Sequence, residues 1–86
     1  MKHAGDVALD RLDSLLEQIR KLAALSERKR GIFYRGSAAF LHFHEDPEGL
    51  FADVKTDGAW ERLPVNMRTQ QRELLAHVKS QLRGRR

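Results

Sequence analysis

Residues 31–64 read GIFYRGSAAFLHFHEDPEGLFADVKTDGAWERLP, and this stretch decides the fold. β-Branched and aromatic residues gather in four short runs: Ile32 to Arg35, Ala38 to His44, Leu50 to Lys55 and Trp60 to Leu63. Turn residues separate them. Gly36-Ser37 puts glycine where a type II′ hairpin turn requires positive φ, and Asp57-Gly58 suits a second two-residue turn. Glu45-Asp46-Pro47-Glu48, followed by Gly49, reads as a four-residue connection. Pro64 has no amide proton for a ladder and stops the last run. The pattern predicts four antiparallel strands, at about residues 31–35, 38–44, 50–55 and 60–63, in spatial order 1-2-3-4.

The flanks are helical in pattern. Upstream, Ala8, Leu12, Leu15, Leu16, Ile19, Leu22 and Ala23 recur at the 3.6-residue period of one helix face. Asp6 is placed to cap that helix, with acids in its first half and Arg20, Lys21, Arg28 and Lys29 toward its end, an order that suits the helix dipole. A helix over about 6–28 follows. Downstream, Asn66 stands as a cap before Met67, Gln71, Leu74, Leu75, Val78 and Leu82, an inward stripe that predicts a second helix over about 66–83. Gly84-Arg85-Arg86 is left as a frayed tail. The expected fold is α+β in the order α-β-β-β-β-α, a four-stranded antiparallel meander packed by two amphipathic helices.

Composition bounds the function. At 86 residues the chain has room for one core, and 41% apolar with 33% charged residues is the composition of a globular domain. It has no cysteine, which excludes disulfides, thiolate metal sites and a cysteine nucleophile. No apolar run nears the roughly 18 residues of a membrane span, and Met1-Lys2-His3-Ala4-Gly5-Asp6 carries no apolar signal core. We therefore read the chain as cytoplasmic, with no membrane partner. The net charge of +4 is uneven. Residues 1–30 carry seven Lys/Arg against five Asp/Glu, residues 31–65 three against six, and residues 66–86 six against one. The basic character belongs to the last helix.

Hairpin turns fix register, and register fixes which side chains share a face. The turns above pair Tyr34 with Ala39, Phe33 with Phe40, Ile32 with Leu41, Phe43 with Leu50, His42 with Phe51, Asp53 with Arg62 and Lys55 with Trp60. One face then carries Ile32, Tyr34, Ala39, Leu41, Phe43, Leu50, Ala52, Val54 and Leu63, with Glu61 as the one misfit. The other carries Phe33, Arg35, Phe40, His42, His44, Phe51, Asp53, Lys55, Trp60 and Arg62. Four large aromatics are many for the wet face of an antiparallel sheet. Either a helix covers each face and the aromatics are core, or both helices share the aliphatic face and the aromatics meet a partner, or the aromatics stack on a ligand.

Three functional readings follow. The first is a small non-enzymatic binding or protein-interaction module that uses the face of Phe33, Phe40, His42, His44, Phe51 and Trp60, with a second copy of the chain or another protein as partner. The second is nucleic-acid binding through Arg68, Arg72, Lys79 and Arg83, which form a basic stripe on the last helix that Arg85-Arg86 would extend. The third is a metal site around His42 and His44, which lie on one side of a strand because alternate residues do, with Asp53 or Glu45 as oxygen ligands. No glycine-rich phosphate loop and no nucleophile elbow is present, so no catalytic residue is assigned and no cofactor is expected.

Overall fold

The computed structural model describes residues 2–83. Met1 and Gly84-Arg85-Arg86 lie outside the described residues, and with them the expected frayed tail and the Arg85-Arg86 end of the basic stripe. The elements run β1 (Lys2–His3), α1 (Asp6–Asp10), α2 (Asp13–Arg20), β2 (Ser26–Lys29), β3 (Ile32–Arg35), β4 (Ala38–Asp46), β5 (Gly49–Thr56), β6 (Ala59–Pro64) and α3 (Arg68–Arg83). The class is α+β, with one antiparallel sheet in the order β2-β3-β4-β5-β6. β1 adds to β4 beyond the end of β3, on the edge opposite β5.

The sheet thus has two strands more than the sequence pattern foretold, both drawn from the N-terminal third. The expected helix over 6–28 is two shorter ones that end at Arg20. At their junction the Arg11 and Leu12 amides donate three residues back, to the Ala8 and Leu9 carbonyls, and this tight turn keeps Leu9 and Leu12 on the buried side. Ser26–Lys29 then leaves the helix pattern and pairs with β3 across a turn at Arg30-Gly31, where Gly31 has φ +80°. Ladder pairing at the sheet edge overrides the helical preference of Glu27, Arg28 and Lys29.

Glu27 anchors that edge. Its carboxylate accepts the Gly31 N–H at 2.8 Å and both Nε and Nη2 of Arg20. Burial pushes the Glu27 carboxyl up, but the Arg20 hydrogen bonds, the Gly31 amide and the charges of Arg20 and Arg30 outweigh it and hold it below the ordinary carboxylate value. A depressed carboxylate stabilises the fold above its unfolded pKa, and that contribution is lost as pH falls through the folded value. Glu27→Gln is therefore expected to cost about 1–2 kcal/mol at pH 7 and much less below about pH 4, read by urea unfolding at both pH values.

The three later hairpins form as read, with two adjustments. Arg35 opposes Ala38 and Tyr34 opposes Ala39 as expected, but a bulge follows, so that Phe33 opposes Leu41 and Ile32 opposes His42. The extra residue is Phe40, which is 4% exposed in the core, and Phe33 is turned to the core face beside it, 1% exposed. The β4–β5 loop is two residues, Pro47-Glu48, rather than four. His44 therefore opposes Phe51 and His42 opposes Asp53, a slip of two that leaves β5, and β4 from Leu41 onward, on their expected faces. At the third turn Asp57 (φ 50°) and Gly58 (φ +87°) both take positive φ, and Lys55–Trp60 and Asp53–Arg62 pair as read.

All three helices pack on one face. Ala8 and Leu9 of α1, Leu15, Leu16 and Ile19 of α2, and Leu74 and Val78 of α3 share a single cluster with Phe33, Phe40, Leu41, Phe43, Leu50, Ala52 and Val54. Full burial of each large aliphatic or aromatic side chain contributes roughly 1.5–3 kcal/mol. Glu61 faces this side opposite Val54, stays exposed at the edge strand, and lies 3.4 Å from His77 Nε2.

Asn66 is not the cap expected of it. Its Oδ1 accepts the Leu50 N–H at 2.7 Å, while Gln70 Oε1 accepts the amides of Asn66 and Met67 ahead of α3. Gly49 makes room for that contact: its φ is +135°, and a Cβ there would sit 2.4 Å from Asn66 Oδ1. Gly49→Ala adds strain to a clash and is expected to lose about 3 kcal/mol, measured as a lower unfolding midpoint at unchanged slope.

Candidate metal centre

The sheet face away from the helices carries the polar cluster. His42 and His44 alternate along β4, β5 sets Asp53 opposite His42, and β6 sets Arg62 opposite Asp53. β1 supplies a residue the sequence reading missed, since His3 opposes His44. The Ala4 amide donates to the Phe43 carbonyl at 3.0 Å, and the Gly5 amide donates to Glu45 Oε2 at 2.8 Å, which holds β1 in place. Glu45, a proposed oxygen ligand, is thus engaged at the start of α1. Asp53, the other, is in the cluster.

The geometry is convergent. One donor atom from each of His3, His42 and His44 lies within 4.8 Å of the others. The His3 ring stacks on His44 with centroids 5.0 Å apart, and His42 meets His44 edge-on at 4.8 Å. His44 Nε2 is 2.9 Å from His42 Nδ1 and 2.9 Å from Asp53 Oδ2, and His42 Nδ1 is 4.0 Å from the same oxygen. Arg62 clamps Asp53 through Nε to Oδ1 at 2.8 Å and Nη2 to Oδ2 at 2.9 Å.

His42 Nδ1, His44 Nε2 and Asp53 Oδ2 crowd together at the centre of this group. A single N–H on His44 Nε2 can be shared between Asp53 Oδ2 and the lone pair of His42 Nδ1. Without that proton, three lone pairs face one another. The His44 Nδ1 atom is buried and has no hydrogen-bond partner among the described residues, a state that costs about 1–3 kcal/mol. The electrostatics favour the ligand form at two of the donors, His42 and Asp53. Burial lowers the His42 imidazole pKa, and the neighbouring His44 lowers it further, against the opposing charge of Asp53. The Arg62 hydrogen bonds, against burial, hold the Asp53 carboxyl below its ordinary value. Neutral imidazoles and an ionised carboxylate are the forms that bind transition metals.

The remaining expected residues divide. Phe51 is half-buried on this face, and Trp60 is 43% exposed there, its ring 4.6 Å from His42 and under the Lys55 ammonium at 4.5 Å. Phe33 and Phe40 are core, which halves the aromatic surface that the partner and second-copy readings relied on. Arg68, Arg72, Lys79 and Arg83 are exposed along α3, on the far side of the helical layer from the histidines. Among the described residues, no helix is long and apolar enough to cross a membrane. This chain matches no family model, no curated protein and no solved structure at a significant level.

Proposed function

We propose that this chain is a metal-binding module, taking one divalent transition-metal ion, zinc foremost, between His3, His42, His44 and Asp53. The observation that supports this reading is the convergence of three imidazole donors on the open sheet face, with the Asp53 carboxylate against His44 and near His42. Bonds of 2.0–2.1 Å at tetrahedral angles place neighbouring donors about 3.3 Å apart. The separations of 2.9, 2.9 and 4.0 Å among His42 Nδ1, His44 Nε2 and Asp53 Oδ2 straddle that value. A cation there would replace the shared proton and satisfy all the facing lone pairs together.

Three nitrogens and one oxygen suit zinc, with cobalt, nickel and copper as competitors ordered by intrinsic affinity, and the donor set disfavours calcium and magnesium. Four protein donors leave no open position, the pattern of a structural or carrier site rather than a catalytic one. The first reading of the sequence, a non-enzymatic binding module on this face, is thereby given a ligand. Arg62 would act as an outer partner that orients Asp53.

The test is a zinc titration followed by imidazole NMR. We expect the His3, His42 and His44 ring signals to shift together and saturate at one equivalent, while His77, on the helical side beside Thr56, stays in place. Signals that remain unmoved at millimolar zinc end the proposal.

A further inference from the structure

A second site lies on the opposite side of the molecule. α2 and α3 lie side by side with their N-termini together, and the seam between them is hollow at both ends. One hollow, about 690 Å³, is lined by Arg11, Ser14, Leu15 and Gln18 on one wall and Arg68, Gln71, Arg72 and Leu75 on the other. The second, about 300 Å³, is lined by Leu22, Ala23 and Ala24 against Lys79, Leu82 and Arg83. Five cations therefore border one track: Arg11, Arg68, Arg72, Lys79 and Arg83. Arg11, which no sequence pattern linked to the stripe, supplies the facing wall.

The acids of these helices are elsewhere. Asp13 is 3.6 Å from Arg30, and Glu17 is 3.2 Å from Arg20. Glu73 lines a separate hollow on the other flank of α3, with Leu63, Pro64, Gln70, Leu74 and His77. None of the five cations forms an ion pair or a side-chain hydrogen bond among the described residues, whereas Arg20, Arg30 and Arg62 all pair with carboxylates. Ordinary surface charge intermingles. Here one sign is gathered along a groove and has no counter-charge among the described residues, and the like charges repel one another unless a polyanion is bound.

We infer that the α2–α3 seam binds the phosphodiester backbone of a nucleic-acid strand. At 1.5 Å per residue, Arg68 to Arg83 spans about 22 Å, the length of roughly six backbone phosphates. Four of the five cations are arginine, whose planar fork bonds a phosphate through two N–H groups. Ser14 and Gln18 add neutral donors, and Leu15 and Leu75 give the groove floor an apolar part. The aromatics of the described chain lie in the sheet, none along the seam, so bases have no stacking platform there and binding should be independent of sequence. The inference is independent of the metal proposal.

The experiment uses the full 86-residue chain with a chelator present, and fluorescence anisotropy with a mixed-sequence single-stranded and a duplex oligonucleotide. Up to five phosphate contacts predict a slope of log affinity against log salt of about −4, or about a 250-fold loss between 50 and 200 mM salt. Arg72→Glu should weaken binding about tenfold or more and reduce the slope by about one. Lys29→Glu changes the net charge equally but sits on β2, away from the seam, and should leave affinity within about twofold. Should Arg72→Glu fold poorly, Arg11→Glu makes the same test from the other wall. Absence of binding to both oligonucleotides at 50 mM salt overturns the inference. So does an equal effect of Lys29→Glu and Arg72→Glu, or a polyglutamate chain bound as tightly as the oligonucleotides.

Discussion

Zinc in hundredfold excess over its dissociation constant should raise the melting temperature of this chain by roughly 10–20 °C. Ligand that binds only the folded state at that excess adds about 2.7 kcal/mol, and in a domain of this size each kcal/mol moves the midpoint by about 4–8 °C. His3 comes from a strand far in sequence from β4 and β5, so an unfolded chain does not assemble the full set. Calorimetric melts with zinc, then with an excess of chelator, measure the shift and its reversal. His3→Ala is the sharpest control. His3 is exposed and lies outside the core, so its loss should leave the metal-free midpoint almost unchanged. It removes one ligand while the backbone pairing of β1 stays, and should weaken zinc binding at least about a hundredfold, beyond the 10–100-fold typical of an outer-shell loss. Equal midpoints for the wild type with and without zinc would refute the site. A His3→Ala variant that kept the full zinc shift would remove β1 from it.

Sequence showed the part of this arrangement that depends on local chemistry. Gly36, Asp57 and Gly58 announce their turns through the positive φ they adopt, and those turns place β3 to β6 side by side. Parity did the rest. Because a two-residue slip preserves the face, reading the Glu45–Glu48 loop too long still left His42, His44 and Asp53 together. What local chemistry does not encode was missed. β1 is two residues long and owes its place to its pairing with β4 and to the Ala4 and Gly5 amides that follow it, so nothing in Lys2-His3 marks it as a strand, and the third histidine was invisible. The Phe40 bulge adds one residue to β4 and moves Phe33 to the other face, a change of parity that alternation alone does not foresee. The helical stripes specify that an apolar face is buried but not against which side of the sheet. The Arg30-Gly31 pair before Ile32 was an available hairpin signal, and it would have ended the first helix earlier.

The two proposed sites sit on opposite layers, and the reason is chemical. Packing all three helices on the aliphatic side left the histidine side uncovered, so its imidazoles and Asp53 are held by one another and by Arg62 and Trp60 rather than by a core. The same packing put the outer surfaces of α2 and α3 next to each other and brought Arg11 alongside Arg68 and Arg72. Neither site exists in any one element.

Phe33→Ala should cost about 3–5 kcal/mol of folding free energy, and Phe51→Ala no more than about 1–2. The difference is set by the bulge. If β3 and β4 paired without it, Phe33 would share the outer face with Phe51, and truncating either ring would remove a similar, partly solvated contact. With the bulge, Phe33 is 1% exposed and packs in the cluster with Leu41 and the helices, so alanine leaves a cavity as well as losing the transfer energy of the ring. Phe51 stays half-buried opposite His44 and Pro64, where neighbours and water fill part of the space. A chain of 86 residues has roughly 4–13 kcal/mol of total stability, so the Phe33 variant approaches the unfolding threshold at 25 °C while the Phe51 variant remains folded. Urea titrations of the two variants at the same slope decide it. Costs within 1 kcal/mol of each other would return Phe33 to the open face, restore the aromatic patch there, and revive the reading in which a second copy of the chain covers it.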